Sequence, residues 1–212
     1  MERKEGIHKK LILYFIPIFY SIGILIHLTA LNEKILNYLT PISLLAINIL
    51  VIAYGFIGIK KSLIWLIASY LLTFFLEVIG VKSGLVFGSY EYGNGLGLKF
   101  LDVPLIIGLN WVVVVLGATA LSERISSTKI KYVLTGLIAV VFDIALEKVA
   151  PILDYWAWNN DIIPTKNFVS WFLIAFTLHL IYDKIVKEKL SIIFGVNIFS
   201  QFVFFLILLM IL

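Results

Sequence analysis

The chain contains no cysteine among its 212 residues. Disulfide bonds, thiolate metal sites and thiol nucleophiles are therefore excluded. Histidine is scarce too, with three residues and no HxxH or HxxxH pair, which argues against a histidine-rich iron or zinc site. Charged residues make up only 14% of the chain and the lysines form no contiguous patch, so a nucleic-acid partner is not expected.

Apolar residues are abundant instead. They form 61% of the chain, and the mean hydropathy of +1.05 lies outside the range of soluble globular domains. Backbone groups in lipid must be hydrogen-bonded within the protein, so each apolar run of about 20 residues predicts a transmembrane helix. Seven such runs cover residues 10–31, 35–58, 62–81, 102–122, 131–151, 167–184 and 190–211. The sequence thus predicts an all-α, multi-pass protein of the cell membrane, with one integral domain over residues 1–212.

The basic residues predict how the chain is oriented in the lipid bilayer. Of the 17 lysines and arginines, twelve lie at the N-terminus or in loops that the seven spans place on the same side. The remaining five lie on the opposite side. The positive-inside rule therefore predicts a cytoplasmic N-terminus and an external C-terminus.

Two loops on the predicted outer side differ from the others in composition. The first, residues 82–101, holds five glycines and places two tyrosines around Glu91. The second, residues 151–166, reads PILDYWAWNNDIIPTK and combines tryptophans with acids and asparagines. Such residues are typical of the membrane interface, and they equally suit the mouth of a pocket.

Polar side chains inside the predicted spans lie at one depth, beneath these loops. Asp143 and Glu147 are spaced i, i+4 on one helix face, and both lie within about 10 Å of its outer end. Glu77 lies equally close to the outer end of the third span. Asp102 is predicted to open the fourth span, with Asn110 about 12 Å deeper. If these helices are neighbours, the five side chains form one polar cavity.

A purely structural role is the alternative for each of these groups. Carboxylates can bond to neighbouring helices or pair with nearby lysines, and Asp102 can cap the fourth helix. Buried ionisable groups are costly and usually mark a functional site, so the set as a whole favours function. His27 shares a helix face with Tyr20 toward the outer side, whereas His179 lies toward the inner side and is interpreted as structural.

Acids and aromatic rings around a lipid-accessible cavity suit chemistry on a long apolar molecule. Protonation of a trisubstituted alkene gives a tertiary carbocation, which requires a strong acid, little water and aromatic faces. When neighbouring carboxylates share a proton, one of them can stay protonated and act as the acid. Another can then take a proton from the attacking water. This chemistry needs no metal and no organic cofactor.

The stretch FGSYEYGNGLGLKFLDVPLIIGLNW, the downstream Asp143 and Glu147, and the run YWAWNNDIIPTKNFVSW carry a resemblance to a known family. They resemble the carotenoid-biosynthesis membrane family that includes carotenoid hydratases, and the resemblance covers the third to sixth spans. The matching positions are Gly88, Tyr90, Tyr92, Pro104, Asn110, Trp111, Trp156, Trp158, Pro164, Asn167, Phe168 and Trp171. One departure is the pair Ile162 and Ile163, where the family pattern has glycine and valine.

The resemblance implies hydration of a terminal isoprenoid double bond of an acyclic carotenoid. For that reaction we predict Asp143 and Glu147 as the proton-transfer pair, with Glu77 polarising them or binding the water. Asn110 is predicted to orient that water or the product hydroxyl. The remaining predicted substrate-binding residues are Tyr90, Tyr92, Asp102, Trp111, Trp156, Trp158, Asn167 and Trp171. The tryptophans have an alternative role as interface anchors.

Three other functions are compatible with these residues. A carotenoid cyclase or isomerase would use the same carbocation without capturing water. A prenyltransferase would bind magnesium and a diphosphate through Asp143 and Glu147, but few basic residues and no second aspartate-rich motif accompany them. A proton-coupled transporter or lipid-binding protein would use the acids as relays, although they are confined to one side of the membrane.

Overall fold

A computed structural model describes residues 2–29, 33–57, 59 and 61–212. Within these ranges the chain forms seven α-helices, as the apolar runs predicted. They are α1 (Glu2–Leu28), α2 (Glu33–Gly55), α3 (Ser62–Ser83), α4 (Leu105–Ile125), α5 (Ile130–Val149), α6 (Thr165–Ile185) and α7 (Ile192–Ile211). The predicted ends of the first two spans, residues 31 and 58, lie outside the described residues.

Six of the seven helices are long and apolar enough to cross a membrane. The other, α5, has the same length but carries Lys131, Asp143, Glu147 and Lys148. Large apolar side chains such as Ile64 lie exposed on the outside of the bundle, where lipid would solvate them. The chain is therefore an all-α, multi-pass membrane protein, and its orientation remains a prediction.

Helix α4 lies at the centre of the bundle. It contacts α2, α3, α5, α6 and α7, and 83% of its membrane-spanning window is buried inside the protein. Helices α1 and α2 lie at the periphery, where α1 packs mainly on α7 and α2 packs on α4 and α7. A run of valines, Val112 to Val115, is completely buried in α4, because all of its faces meet other helices.

The start of α4 differs from the prediction. Residues 99–104 form a small hairpin, in which β2 (Lys99–Phe100) pairs with β3 (Val103–Pro104). Its two turn residues, Leu101 and Asp102, both have positive φ angles of 54° and 67°, as two-residue hairpin turns require. The helix therefore begins at Leu105, after Pro104, and Asp102 neither opens nor caps it.

The two unusual loops pair with each other. Strand β1 (Tyr90–Tyr92) runs antiparallel to β4 (Trp156–Trp158), with Tyr90 opposite Trp158 and Tyr92 opposite Trp156. Successive side chains of a strand point to opposite faces, so all four rings are buried on one face while Glu91 lies exposed on the other. This two-stranded ladder covers the end of the bundle where α3 and α5 end and α4 and α6 begin.

Candidate active site

The ladder directs its tyrosines at Glu77, near the end of α3. The hydroxyl groups of Tyr90 and Tyr92 both donate to Oε2 of Glu77, the latter over 2.8 Å. Burial, followed by the charge of Glu77, raises the pKa of both phenols above the ordinary tyrosine value. Both hydroxyls therefore stay protonated and keep donating to Glu77.

The tryptophans of the ladder bind Glu147 in the same way. The indole nitrogens of Trp156 and Trp158 donate to its Oε2 over 3.0 and 2.6 Å. Its other oxygen, Oε1, accepts from Nδ2 of Asn167 over 3.0 Å. Three neutral donors thus converge on Glu147, and such donors favour an ionised carboxylate.

Asp143 lies one helical turn before Glu147 and shares its amide partner. Nδ2 of Asn167 donates to Oδ2 of Asp143 over 2.8 Å, so the amide bridges the two carboxylates. Oδ1 of Asp143 is buried without a hydrogen-bond partner in the described part of the chain. Asp143 is completely buried, and Glu77 and Glu147 are each 3% exposed.

Within the described residues, no lysine, arginine or histidine forms an ion pair with any of these three acids. Three uncompensated negative charges at such burial are prohibitively costly. The group as a whole must therefore retain at least one proton, which makes it a source of acid.

A stack of aromatic rings forms one wall of the site. The rings of Trp111 and Trp171 lie parallel with centroids 3.4 Å apart, and Phe87 stacks on Trp171 at 5.0 Å. Phe87 was not predicted as a site residue, although it belongs to the same FGSY stretch as Tyr90. The stacked indole and phenyl rings therefore form a low-polarity wall.

These residues enclose a chamber of about 10 Å³, which has room for about one water molecule. Glu77 and Glu147 both line it. The other lining residues are Phe87, Tyr90, Tyr92, Trp111, Trp156, Trp158, Asn167 and Trp171. Asp143 is not among them, because it lies behind the amide of Asn167.

A larger apolar cavity of about 230 Å³ adjoins the chamber, and Trp156 lines both spaces. Its walls come mainly from α1, α2, α4 and α7, with Tyr155 from the second loop and both Tyr20 and His27 from α1. Asn110 lies here and accepts a hydrogen bond from Gln201, so the prediction that it shares a cavity with the acids is wrong. Its neighbour Trp111 lines the chamber instead, because consecutive side chains leave a helix about 100° apart.

Asp102 does not reach the acidic cluster either. At the tip of the β2–β3 turn it is exposed and forms an ion pair with Lys82, whose hydrogen bond and charge lower the pKa of Asp102. Of the residues predicted from sequence, the structure brings together the three acids Glu77, Asp143 and Glu147, the four ladder rings, Trp111, Asn167 and Trp171.

Close approach of the two loops depends on glycine. Gly88 has a φ of 131°, and a side chain there would collide with Pro164 and the Trp158 ring. A Cβ atom at Gly93 would lie 2.0 Å from Oδ1 of Asp154, whose other oxygen accepts from the backbone of Asn94. The glycines of the first loop therefore allow the second loop to lie against it.

The fold and site define a multi-pass helical membrane protein with a buried carboxylate cluster inside an aromatic chamber. The chain belongs to the carotenoid biosynthesis protein family, whose model matches residues 38–212. This range contains every residue of the chamber and both loops. It also agrees with the resemblance that the loop motifs indicated.

The chain is similar to a protein named bisanhydrobacterioruberin hydratase from Haloarcula japonica. The two are 27% identical over 133 residues, which cover 58% of this chain and 45% of that protein. The match therefore spans less than half of the relative's length. No solved structure matches the chain. The family and this relative together support a carotenoid-modifying role.

Proposed function

We propose that this protein adds water to a terminal isoprenoid C=C bond of an acyclic carotenoid or a related polyene. The observation that carries the proposal is the pair of adjoining spaces. A chamber with room for about one water holds two facing carboxylates, and the neighbouring apolar cavity of about 230 Å³ suits a hydrocarbon end group. The name of the Haloarcula japonica relative agrees with hydration.

Hydrogen bonding suggests which acid performs which step. Glu147 accepts three N–H donors through both oxygens, an arrangement that favours its charged form. Glu77 uses only Oε2, and Oε1 has no hydrogen-bond partner in the described part of the chain. We therefore assign Glu77 as the proton donor through Oε1 and Glu147 as the base.

The proposed reaction balances without a cofactor. Glu77 transfers its proton to the less substituted alkene carbon, so that a C–H bond forms, the π bond breaks and a tertiary cation remains. The oxygen of the water then bonds to the cationic carbon, and its proton passes to Glu147. Transfer of that proton across the chamber to Glu77 restores the starting state.

Aromatic rings supply the remaining requirement, which is stabilisation of the cation. Trp156 lines both the chamber and the larger cavity, and Trp111, Trp158 and Trp171 line the chamber together with the two ladder tyrosines. A cation over an aromatic face gains about 0.5–2 kcal/mol, and the rings exclude competing water.

Asp143 has a positioning role in this scheme. It lies behind Asn167 and holds that amide against Glu147, while its unpartnered Oδ1 suits a retained proton. This assignment departs from the sequence-based hypothesis, in which Asp143 and Glu147 formed the proton-transfer pair. The reason is access, since Glu77 and Glu147 face the chamber and Asp143 does not.

Co-expression in bacteria that make an acyclic carotenoid, with growth in ¹⁸O-labelled water, tests the proposal. We expect a more polar pigment that is heavier by one labelled water, detected by chromatography and mass spectrometry. Glu77→Gln and Glu147→Gln should each lower its formation by about 10²–10⁴-fold, the usual contribution of a positioned acid or base. Glu91→Gln is the matched control, because its side chain lies on the outer face of β1.

Other results would contradict hydration. An isomeric product without added mass would indicate cyclisation or isomerisation by the same cation. An unchanged pigment, with the protein present in the membrane, would exclude hydration of that carotenoid. An equal loss of product in Glu77→Gln, Glu147→Gln and Glu91→Gln would mean that the substitutions act only by destabilising the folded protein.

A further inference from the structure

A second polar cluster lies at the opposite end of the bundle. It consists of Glu123 from the last turn of α4 with His179 and Asp183 from α6. Nε2 of His179 lies 3.8 Å from Oε1 of Glu123 and 3.8 Å from Oδ1 of Asp183. The histidine side chain is fully buried, and Nε2 has no hydrogen-bond partner in the described part of the chain.

Thr135 contacts the other nitrogen of the His179 ring. Its hydroxyl oxygen lies 2.7 Å from Nδ1 of His179, 2.7 Å from the Ser122 hydroxyl and 3.1 Å from the carbonyl oxygen of Lys131. When the hydroxyl donates to the Lys131 carbonyl, its oxygen accepts from Nδ1–H of His179, and Nε2 presents a lone pair toward the two carboxylate oxygens. In that tautomer Nε2 can bind a cation that lies between them.

The remaining oxygens of both acids are already occupied. Oε2 of Glu123 accepts from the backbone nitrogen of Leu190 over 3.2 Å. Oδ2 of Asp183 accepts from the Tyr132 hydroxyl over 2.8 Å and from the Lys131 ammonium. One oxygen of each acid thus remains directed at Nε2. Hydrogen-bonded outer partners of this kind are characteristic of metal ligands, which they orient.

We propose that Glu123, His179 and Asp183 bind a first-row divalent metal ion such as Zn²⁺ or Mn²⁺. The 3.8 Å separations exceed the range of an N–H···O bond, about 2.7–3.2 Å. They lie closer to the about 3.4 Å between ligand atoms around a tetrahedral Zn²⁺. The three candidate ligand atoms all lie within 4.8 Å of one another, so small side-chain shifts complete the site.

One imidazole with two carboxylates selects a borderline metal ion. Ca²⁺ and Mg²⁺ prefer all-oxygen sites, and soft ions prefer thiolates, which this chain lacks. The site connects the end of α4 to the end of α6, and Thr135 lies about 18 Å along α5 from Glu147. The ion therefore joins helices at the far end of the bundle and is independent of the proposed hydration.

Metal analysis of the purified full-length chain tests the site. After incubation with Zn²⁺ or Mn²⁺ and desalting, mass spectrometry should find about one ion per chain. Saturating Zn²⁺ should raise the Tm by about 5–10 °C, and a chelator should reverse the shift. His179→Gln and Asp183→Asn should each weaken binding by at least about tenfold. Glu188→Gln, an exposed acid beyond the end of α6, is the matched control and should bind normally.

Absence of bound metal together with an unchanged Tm would overturn the proposal. Equal binding by wild type, His179→Gln and Asp183→Asn would overturn it as well, because the ion would bind elsewhere. If a ligand variant does not fold, the wild-type chain still tests the site, because the Tm must rise with Zn²⁺ and fall again with the chelator. Carotenoid turnover is not a readout here, so failure of the hydration proposal leaves this test unaffected.

Discussion

The two ends of the helical bundle bury acids in different ways. At the chamber end, Glu77, Asp143 and Glu147 receive hydrogen bonds only from phenol, indole and amide groups. At the opposite end, Asp183 pairs with Lys131, and His179 lies between two carboxylates. One end leaves its negative charge uncompensated, whereas the other surrounds it with basic groups.

This difference separates a chemical role from a structural one. Neutral donors leave an acid able to gain or lose a proton, while a neighbouring cation holds it in the charged form. Burial of a carboxylate without a neighbouring cation is also costly, and the packing of helices does not by itself require such a group. The chamber end therefore suits proton transfer, and the far end suits the joining of helices.

Removal of the shared amide at the chamber end should have the largest effect among the further variants. Asn167→Leu leaves Asp143 and Glu147 without its N–H groups and should lower the free energy of unfolding by about 2–5 kcal/mol. Thermal unfolding in detergent measures this. Asn48→Leu is the matched control, since both polar atoms of that buried amide lack partners in the described part of the chain. A comparable loss in Asn48→Leu would contradict the assignment.

A tyrosine hydroxyl can be removed at each end for direct comparison. Tyr92→Phe removes a donor to Glu77 and should reduce hydration by about tenfold or more. Tyr132→Phe removes a donor to Asp183 and should leave hydration per folded molecule unchanged. Because burial and the charge of Glu77 raise the pKa of Tyr92, its hydroxyl should stay protonated as the pH passes about 10, which the ultraviolet absorption of tyrosine measures. Equal hydration rates in Tyr92→Phe and Tyr132→Phe would contradict the assignment of the reaction to the chamber end.

The smallest effect is expected at the surface turn. Asp102→Asn removes the exposed ion pair with Lys82 and should change neither pigment hydration nor thermal stability measurably. Its lowered pKa means that any stabilisation is present above the ordinary aspartate value and is lost as pH falls through the lowered one. A marked loss of hydration in this variant would contradict this prediction and mean that Asp102 contributes to the reaction.

The lengths of the apolar runs were sufficient to predict the seven helices, and helical periodicity predicted the shared face of Asp143 and Glu147. It also indicated that Glu77 lies at the same depth, since depth follows from position along a span. The prediction for Asp102 failed because its apolar neighbours concealed a two-residue turn. The prediction for Asn110 failed because depth does not determine which neighbour a helix face meets, and that face of α4 meets the larger cavity.

The ladder of β1 and β4 was not predicted, although YEY alternates aromatic and charged residues in the manner of a strand, and WAW alternates large and small side chains. Three residues are too few to identify a strand, and the partner strand lies more than 60 residues away. The sequence did not indicate that His179 meets Glu123, because the two are distant in sequence and approach each other only through packing of α4 against α6.

Composition and the lengths of the apolar runs alone determined that the chain spans a membrane, how many helices it forms and that Glu77, Asp143 and Glu147 lie inside them. These properties depend on the cost of exposing polar groups to lipid, which acts on each segment by itself. Only the tertiary structure decided that Glu77 faces Glu147, that Asp143 lies behind Asn167, and that aromatic rings from two loops close the chamber. Those relations depend on how separate segments pack, because a hydrogen bond between distant residues forms only when the whole bundle aligns its donors and acceptors.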